Sequence, residues 1–173
     1  FTEFGADAFN AITSIEDQRS QASYLLKNWQ EIYKNAAGMG MYENTIGGFT
    51  FQFSDGWWKY DFDHRKNVSK HDTIATWVNG GYSQDLAEGK NNMNEEWFGI
   101  CAKGPTKENG LYTLFPRTAY YVLKQVHQLD PYKAGIDINS INNYFSTINI
   151  KDAEIKGVDN KNTLDNLNKK KDS

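Results

Sequence analysis

Residues 46–59 read IGGFTFQFSDGWWK, and this stretch decides the fold class that the sequence predicts. Phe49, Phe51 and Phe53 alternate with polar residues. Alternation with a period of two, carried by aromatic side chains, predicts a β-strand. The Ser-Asp-Gly sequence at residues 54–56 is a turn signal, and Trp57 and Trp58 follow it directly.

A helix and an earlier strand precede this stretch. Residues 1–4 predict a strand that Gly5 ends. Thr13 and Glu16 have the spacing of a capping box, and Asp17 adds a second acid to the first turn. From there to residue 37, apolar residues recur at every third or fourth position, which predicts an amphipathic helix. The members of this stripe are Leu25, Trp29, Ile32, Tyr33 and Ala36.

The rest of the chain gives weaker signals. Residues 59–114 are polar and irregular, and the aromatic side chains among them favour a long ordered loop. Pro116 suits the first position of a second helix, which ends before Pro131. Residues 133–173 are expected to form an extension. Its first part predicts a strand or a short helix, and its Asn- and Lys-rich end predicts a frayed tail or a linker.

The order strand, helix, strand, loop and helix predicts an α/β protein with right-handed βαβ units and a parallel sheet. Two strands and two helices leave both faces and both edges of such a sheet open. We therefore expect this chain to be the end of a larger α/β domain. Its start on Phe rather than Met agrees with a chain taken from a longer polypeptide.

Composition excludes several classes of function. The net charge of −3 gives no electrostatic support for a nucleic-acid partner. Cys101 is the only cysteine, which excludes a disulfide framework and a cysteine-based metal site. No apolar run reaches the roughly 20 residues needed to cross a membrane. We thus predict neither a nucleic-acid partner nor a membrane span.

Four segments together resemble a known family. TEFGAD at residues 2–7 and GGFTFQFSDGWW at residues 47–58 resemble the last two strand ends of a (β/α)8-barrel glycoside hydrolase of the β-galactosidase and β-glucuronidase group. NEEWFGI at residues 94–100 and FPRTAYYVLKQV at residues 115–126 are similar to the final loop and the final barrel helix of that group. The resemblance covers residues 1–132. It implies the last two βα units of a TIM barrel with a long irregular βα loop, incomplete without an upstream segment.

The resemblance implies a catalytic role for Glu3. In that family, the Glu of the TEFG-type motif ends the seventh strand and is the nucleophile. A retaining glycosidase needs this ionised carboxylate and a second, protonated carboxyl about 5–5.5 Å away. The second carboxyl would come from the missing upstream segment or from a second chain that carries it. Asn94-Glu95 follows the eighth strand, so we do not assign the acid/base role to it. The alternative interpretation of Glu3 is an exposed acid near a terminus, without a catalytic role.

Five further residues are candidates for carbohydrate contacts. Trp57 matches the aromatic residue that floors the sugar subsite in relatives, where an indole packs against the apolar face of a pyranose. Trp58 is the alternative if the strand register differs by one residue. Asp55, His71 and Trp97 complete the set, with His71 as a hydrogen-bonding group at the rim. The structural alternative is core packing for the tandem tryptophans and loop anchoring for Trp97.

Residues 61–72 raise the question of a metal site. They contain the possible ligands Asp61, Asp63, His64, His71 and Asp72. The pattern lacks a fixed third partner, and a solvated loop whose acids offset neighbouring basic residues explains it equally well. We therefore predict neither a metal nor another cofactor.

Two function hypotheses follow. The first is a retaining hydrolase of β-linked sugars, which the resemblance places outside the cell or in the periplasm. The second is a non-catalytic carbohydrate-binding or structural subunit derived from such a barrel. An Asn-Glu pair at the end of a fourth strand in the upstream sequence would favour the enzyme, and its absence from the gene would favour the binding subunit.

Overall fold

The computed structural model describes residues 1–10, 13, 15–36, 44–56 and 95–171. In these ranges the chain is mixed α/β, with four α-helices and two small two-stranded sheets. The strands are β1 (Phe9–Asn10), β2 (Ile15–Glu16), β3 (Cys101–Glu108) and β4 (Leu111–Pro116), and the helices are α1 (Gln18–Lys34), α2 (Thr118–Val126), α3 (Ile138–Thr147) and α4 (Ile150–Lys171). None of these described helices combines the length and the apolar character that crossing a membrane requires.

Three extended segments lie side by side and run in the same direction. Phe4 forms a parallel bridge with Thr50, and Ser54 forms a parallel bridge with Cys101. The N–H of Phe4 donates to the carbonyl of Phe49 at 3.1 Å, and the N–H of Phe51 donates to the carbonyl of Phe4 at 2.7 Å. Residues 49–54 therefore lie between residues 1–5 and residues 98–101. The two predicted strands do pair, but through these isolated bridges rather than through a long ladder.

Helix α1 forms the predicted amphipathic helix, but it begins later than the sequence suggested. Asp17 is the N-cap, and its carboxylate accepts a hydrogen bond from the N–H of Ser20 at 2.9 Å. Glu16 lies in β2, paired with Phe9. The predicted capping box of Thr13 and Glu16 is therefore wrong, because the second of these residues is used in a strand.

Residues 101–116 form a β-hairpin, where the sequence predicted an irregular loop to residue 114. Asn109 and Gly110 make its turn with φ values of 52° and 80°. A two-residue turn with two positive φ values matches the right-handed twist of the flanking strands. Pro116 pairs with Cys101 at the end of β4. Consequently the next helix begins at Thr118 rather than at the proline, which corrects the predicted start.

The C-terminal part is helical throughout most of its length. Residues 138–147 form α3, which settles the open choice between a strand and a helix. A hydrogen bond from the N–H of Ser140 stabilises the Asp137 carboxylate at the N-cap and lowers its pKa. The polar tail, predicted to be frayed or a linker, is α4. It packs closely on its neighbours, since a Cβ atom at Gly157 would lie 2.3 Å from Gln18 Oε1 and 2.6 Å from Thr118 N.

The main hydrophobic core lies among the four helices. Leu25, Val122 and Ile141 are fully buried at its centre. Gln18 of α1 joins three helices: its Oε1 accepts hydrogen bonds from the N–H and the hydroxyl of Thr118 in α2 at 2.9 and 3.1 Å, and its Nε2 donates to the carbonyl of Gly157 in α4 at 3.4 Å. The core thus fixes α1 and α2, the two helices that border the extended segments.

Candidate functional site

Glu3 lies on the first of the three parallel segments. The neighbouring Phe4 packs edge-on against Trp29 of α1, with ring centroids 5.6 Å apart. Because side chains alternate along an extended segment, Glu3 points to the face away from α1. Its side chain is exposed, and no hydrogen bond or ion pair joins it to another residue of the described ranges. A carboxylate in this position is accessible to a ligand on the face away from α1.

Gly5 brings two segments unusually close together. A Cβ atom at this position would lie 2.2 Å from the carbonyl oxygen of Phe51 and 2.5 Å from the ring of Phe98. The sequence predicted that Gly5 ends the first strand. The geometry gives a reason for glycine at this position: only a residue without a side chain lets residues 1–5 approach Phe51 and Phe98 this closely.

We expect Gly5→Ala to lower the free energy of unfolding by about 1–3 kcal/mol, because the added methyl group overlaps a backbone carbonyl that the parallel pairing holds in place. Urea unfolding followed by circular dichroism measures this. Gly48→Ala is the matched control. A Cβ atom there would meet side chains and no backbone atom: the ends of Phe4 and Ile32 at 2.9 and 3.0 Å and Phe1 Cβ at 3.5 Å, so a smaller loss is expected. Equal losses in the two variants would contradict the close approach at Gly5.

Arg117 and Asp55 form a buried ion pair at the end of the middle segment. Asp55 is completely buried, and Arg117 is 1% exposed. The guanidinium donates through Nη1 to Oδ1 of Asp55 and through Nη2 to Oδ2 at 2.9 Å. Its Nη1 also donates to the carbonyl of Gly99 at 2.7 Å, and its Nε donates to Oε1 of Glu16 at 2.7 Å. Burial by itself lowers the pKa of Arg117, but the attraction of Asp55 and Glu16 outweighs it, so the pKa is raised and the group stays charged.

This ion pair bears on the predicted role of Asp55. Both carboxylate oxygens accept hydrogen bonds from Arg117 inside the protein. The geometry therefore supports a structural role, in which Arg117 links the exit of residues 49–55 to the start of α2 and to β2. Direct contact of Asp55 with a sugar stays a prediction that this arrangement does not support.

Trp97 lies close to the same arginine. Its ring stacks on Phe9 with centroids 5.0 Å apart, and the Cζ atom of Arg117 lies 5.4 Å from the ring centroid. Its carbonyl accepts a hydrogen bond from the N–H of Ala8 at 3.1 Å. These contacts favour the loop-anchor interpretation, with a cation–π contribution from the buried guanidinium.

The remaining predicted contacts lie outside the described residues. These are Trp57, Trp58 and His71, together with every possible metal ligand of residues 61–72. The sugar platform at Trp57 therefore stays a prediction. Within the described ranges, no group of three or more His, Cys, Asp and Glu side chains is arranged to hold a metal ion.

Sequence reasoning missed Arg117 as an organising residue. The available signal was one arginine inside the largely apolar stretch of residues 111–123, since an Arg in such a setting is seldom buried without a partner. Cys101, the single cysteine of the sequence, is buried, with 1% of its surface exposed. Burial raises the pKa of its thiol to about 11, so it stays protonated and is a poor nucleophile.

An open apolar groove of about 510 Å³ lies between residues 48–53 and the two helices α1 and α2. His127 borders it at the C-terminal end of α2. The imidazole packs edge-on against Trp29 at 4.6 Å, and its Nδ1 lies 3.4 Å from the hydroxyl of Tyr33. Burial lowers the pKa of His127 below its ordinary value of 6.5. This packing gives His127 a structural role beside Trp29 and Tyr33.

We expect the chain to lose stability as the pH falls through 6.5, in part because of His127. The lowered pKa means that the unfolded chain binds this proton more readily than the folded chain does. At pH values above 6.5, His127 is neutral in both the folded and the unfolded chain, so it does not lower the stability there. His127→Gln should reduce the difference between the free energies of unfolding at pH 7.5 and pH 5.5, measured in urea. An unchanged difference would show that His127 does not contribute.

The structure brings Glu3 and Asp55 onto adjacent parallel segments, and it places Trp97 beside the arginine that holds Asp55. It leaves the tandem tryptophans and His71 outside the described ranges. Comparisons of the chain with protein-family models, with characterised proteins and with solved structures gave no significant match. The candidate site is therefore described from this chain alone. It consists of the exposed carboxylate of Glu3 on residues 1–5 and the buried ion pair of Arg117 and Asp55 at the end of residues 49–55.

Proposed function

We propose that this chain is the closing part of a (β/α)8 barrel that hydrolyses β-linked glycosides with retention of configuration, with Glu3 as the nucleophile. One observation carries the proposal. Residues 1–5 and 49–54 are parallel neighbours, and the helix between them in sequence packs on both. Trp29 of α1 contacts the ring of Phe4 and donates from Nε1 to the hydroxyl of Thr50 at 2.9 Å.

This arrangement supports a βαβ unit. In a (β/α)8 barrel, consecutive strands are parallel neighbours, and the helix that links them covers their outer face. Residues 1–5 would then be the seventh strand and residues 49–54 the eighth. Catalytic groups of such barrels stand at the carboxyl ends of the strands. Glu3, near the end of its segment and on the face away from α1, has a position suited to that role.

The proposed reaction uses two carboxyl groups in two steps. The carboxylate of Glu3 attacks the anomeric carbon as the glycosidic bond breaks, and a carboxylic acid from the upstream part gives its proton to the departing oxygen. The resulting glycosyl ester of Glu3 is then hydrolysed by water, which the upstream carboxylate deprotonates. Two attacks on opposite faces restore the original anomeric configuration, and the reaction needs no cofactor.

The ion pair of Arg117 and Asp55 has a place in this proposal. Asp55 stands two residues before Trp57, the proposed sugar platform. A buried bidentate pair resists displacement of the chain at that point. Arg117 therefore limits the movement of the segment that leads to Trp57.

A second candidate function is a carbohydrate-binding or structural subunit without catalysis. It is favoured by the absence of any cationic partner of Glu3 among the described residues, because a carboxylate that acts as a nucleophile is normally kept ionised by such neighbours or by hydrogen bonds. The upstream sequence separates the two candidates, since only the enzyme requires a second catalytic carboxyl there.

Covalent trapping tests the proposal. The polypeptide expressed from the first codon of the reading frame should hydrolyse a 4-nitrophenyl β-glycoside, and an activated 2-deoxy-2-fluoro-β-glycoside should inactivate it. Peptide mass spectrometry should then find one fluoroglycosyl group on Glu3. Turnover with the label on another residue would exclude Glu3 as the nucleophile, and a folded protein inert toward a panel of β-glycosides would favour the binding subunit. The extracellular or periplasmic location stays a prediction, which cell fractionation can test.

A further inference from the structure

The side chain of Gln21 lies at a junction between three parts of the fold. Gln21 is near the start of α1 and is 1% exposed. Its Nε2 lies 3.1 Å from the carbonyl oxygen of Ala6 and 3.1 Å from that of Gly99. Two more carbonyl oxygens lie 3.4 Å from it, those of Trp97 and Phe98. One buried amide group therefore contacts both the segment of Glu3 and the residues that precede β3.

Packing alone does not explain an amide at this position. The Oε1 of Gln21 is buried and accepts no hydrogen bond from the residues that the structure describes. A buried acceptor without a donor costs free energy, which an apolar side chain of similar size avoids. The apolar side chain would lack the two N–H donors, and no other described group donates to the carbonyl of Ala6. The distinctive contribution of Gln21 is therefore its bonds to backbone carbonyl groups.

Two of these carbonyl groups also hold the other half of the candidate site. The carbonyl of Gly99 accepts a hydrogen bond from Nη1 of Arg117 at 2.7 Å, and Arg117 binds Asp55. The carbonyl of Phe98 accepts from the N–H of Gln52, within residues 49–54, at 3.3 Å. The amide of Gln21 thus connects the segment of Glu3 to the segment that ends at Asp55.

We propose that Gln21 is a positioning residue, which sets the placement of Glu3 relative to the chain that leads from Asp55 to Trp57. Ala6 lies three residues after Glu3, so its carbonyl is held where the segment of the nucleophile ends. The inference rests on the proposed function, in which Glu3 must meet the anomeric carbon of a sugar seated on Trp57. A displacement of about 1 Å between reacting groups can cost on the order of 10²-fold in rate.

Hydrogen exchange of the Ala8 amide tests the junction in the 173-residue chain. This amide donates to the carbonyl of Trp97 at 3.1 Å, so it reports whether the two segments stay together. Gln21→Met removes both N–H donors and keeps an unbranched side chain of similar length. We expect the Ala8 amide to exchange at least about 10-fold faster in this variant, relative to the amide of Leu25 within α1, which reports on opening of the helix. An unchanged ratio would overturn the inference.

Gln30→Met is the matched control for this measurement. Gln30 also belongs to α1, but its Nε2 donates to Oδ1 of Asn142 in α3 at 3.1 Å. It should leave the ratio of the Ala8 and Leu25 exchange rates unchanged, and equal acceleration in both variants would contradict a specific role of Gln21. Gln21→Asn is a milder second variant, because its amide is one methylene shorter and withdraws from the carbonyl groups. A folded Gln21→Asn without faster exchange at Ala8 would also overturn the inference.

Kinetics connect the junction to the reaction. They use the longer form, which is the polypeptide expressed from the first codon of the reading frame. Gln21→Met should lower its kcat for a 4-nitrophenyl β-glycoside on the order of 10- to 100-fold and change KM much less, because a misplaced nucleophile impairs the attack more than the binding of the sugar. Gln30→Met should change neither constant. An unchanged kcat per folded molecule in Gln21→Met would make the role merely structural and overturn the inference.

The outcomes separate this inference from the proposed function. A longer form that hydrolyses glycosides equally well with methionine at position 21 would retain the function and remove the positioning role. A longer form that is inert toward glycosides, while Gln21→Met accelerates exchange at Ala8, would retain the junction and remove the function.

Discussion

Replacing Arg117 by methionine should destabilise the folded chain by about 3–5 kcal/mol, because it leaves a fully buried carboxylate without its counter-charge. Asp55 would lose two hydrogen bonds, and the carbonyl of Gly99 and Glu16 would lose one each. Methionine fills much of the volume of the arginine stem, so the loss reports chiefly on charge and hydrogen bonding. Urea unfolding of the wild type and the variant at pH 7.5 measures it.

Two further variants show whether the loss of stability in Arg117→Met comes from the buried ion pair with Asp55. Arg19→Met removes an exposed arginine that pairs with Glu154 at 2.9 Å, and it should cost less than about 1 kcal/mol. Adding Asp55→Asn to Arg117→Met should recover part of the loss, because the amide removes the unpaired negative charge while keeping the shape. A cost at Arg117 no larger than that at Arg19, or a double variant less stable than Arg117→Met alone, would contradict the assigned role.

The helices show where sequence patterns succeed. Helix α1 was predictable because large apolar side chains recur on one face, and those residues, with Leu25 and Trp29 among them, are buried. Helix α4 was missed because its packing uses few apolar side chains. It buries Ala153, Gly157 and Leu164. Asn160 adds hydrogen bonds to the carbonyl of Pro116 at 2.8 Å and to the hydroxyl of Tyr121 at 2.9 Å. Because this packing is close and partly polar, few large apolar residues recur at helical spacing in α4, and the sequence pattern did not predict the helix.

The hairpin of β3 and β4 was missed for another reason. Asn109-Gly110 is a strong local turn signal. The strand before it, however, contains lysines and a proline, and its register shifts between Lys103 and Lys107. This irregularity disturbs the alternation that identifies a strand. The local turn chemistry would have been the better guide to this element.

The candidate site was predictable only in part. The positions of Glu3 and Phe49 on extended segments follow from local patterns, and the parallel order follows from the helix between them. The partners of Arg117 cannot be read from local patterns, because Asp55 and Glu16 lie 62 and 101 residues away from it in sequence. Pairing across such distances is set by the complete fold. For that reason, one isolated sequence suggested a sugar contact for Asp55, while the structure supplies it with a buried arginine.

Replacing Glu3 by glutamine in the longer, active form should lower turnover on the order of 10⁴-fold or more, because the amide has neither the charge nor the nucleophilic oxygen. Substrate binding should persist, since shape and hydrogen-bonding capacity are largely retained. Glu31→Gln is the control for removal of an exposed acid, because Glu31 pairs with Lys34 on the surface of α1. It should leave turnover unchanged. Stopped-assay kinetics with a 4-nitrophenyl β-glycoside, together with equilibrium binding of the substrate to the Glu3 variant, measure both effects.

Chemical rescue distinguishes a lost nucleophile from a disturbed site. In Glu3→Ala the missing side chain leaves room for a small anion, so added azide should restore turnover of a 4-nitrophenyl β-glycoside. Azide then attacks the anomeric carbon as the nitrophenolate departs, and a single displacement gives the α-glycosyl azide, with inverted configuration. A merely structural role for Glu3 predicts no azide-dependent product. Recovery of the β-glycosyl azide would instead point to Glu3 as the acid/base group, because the covalent intermediate would still form on another residue and be attacked from the opposite face.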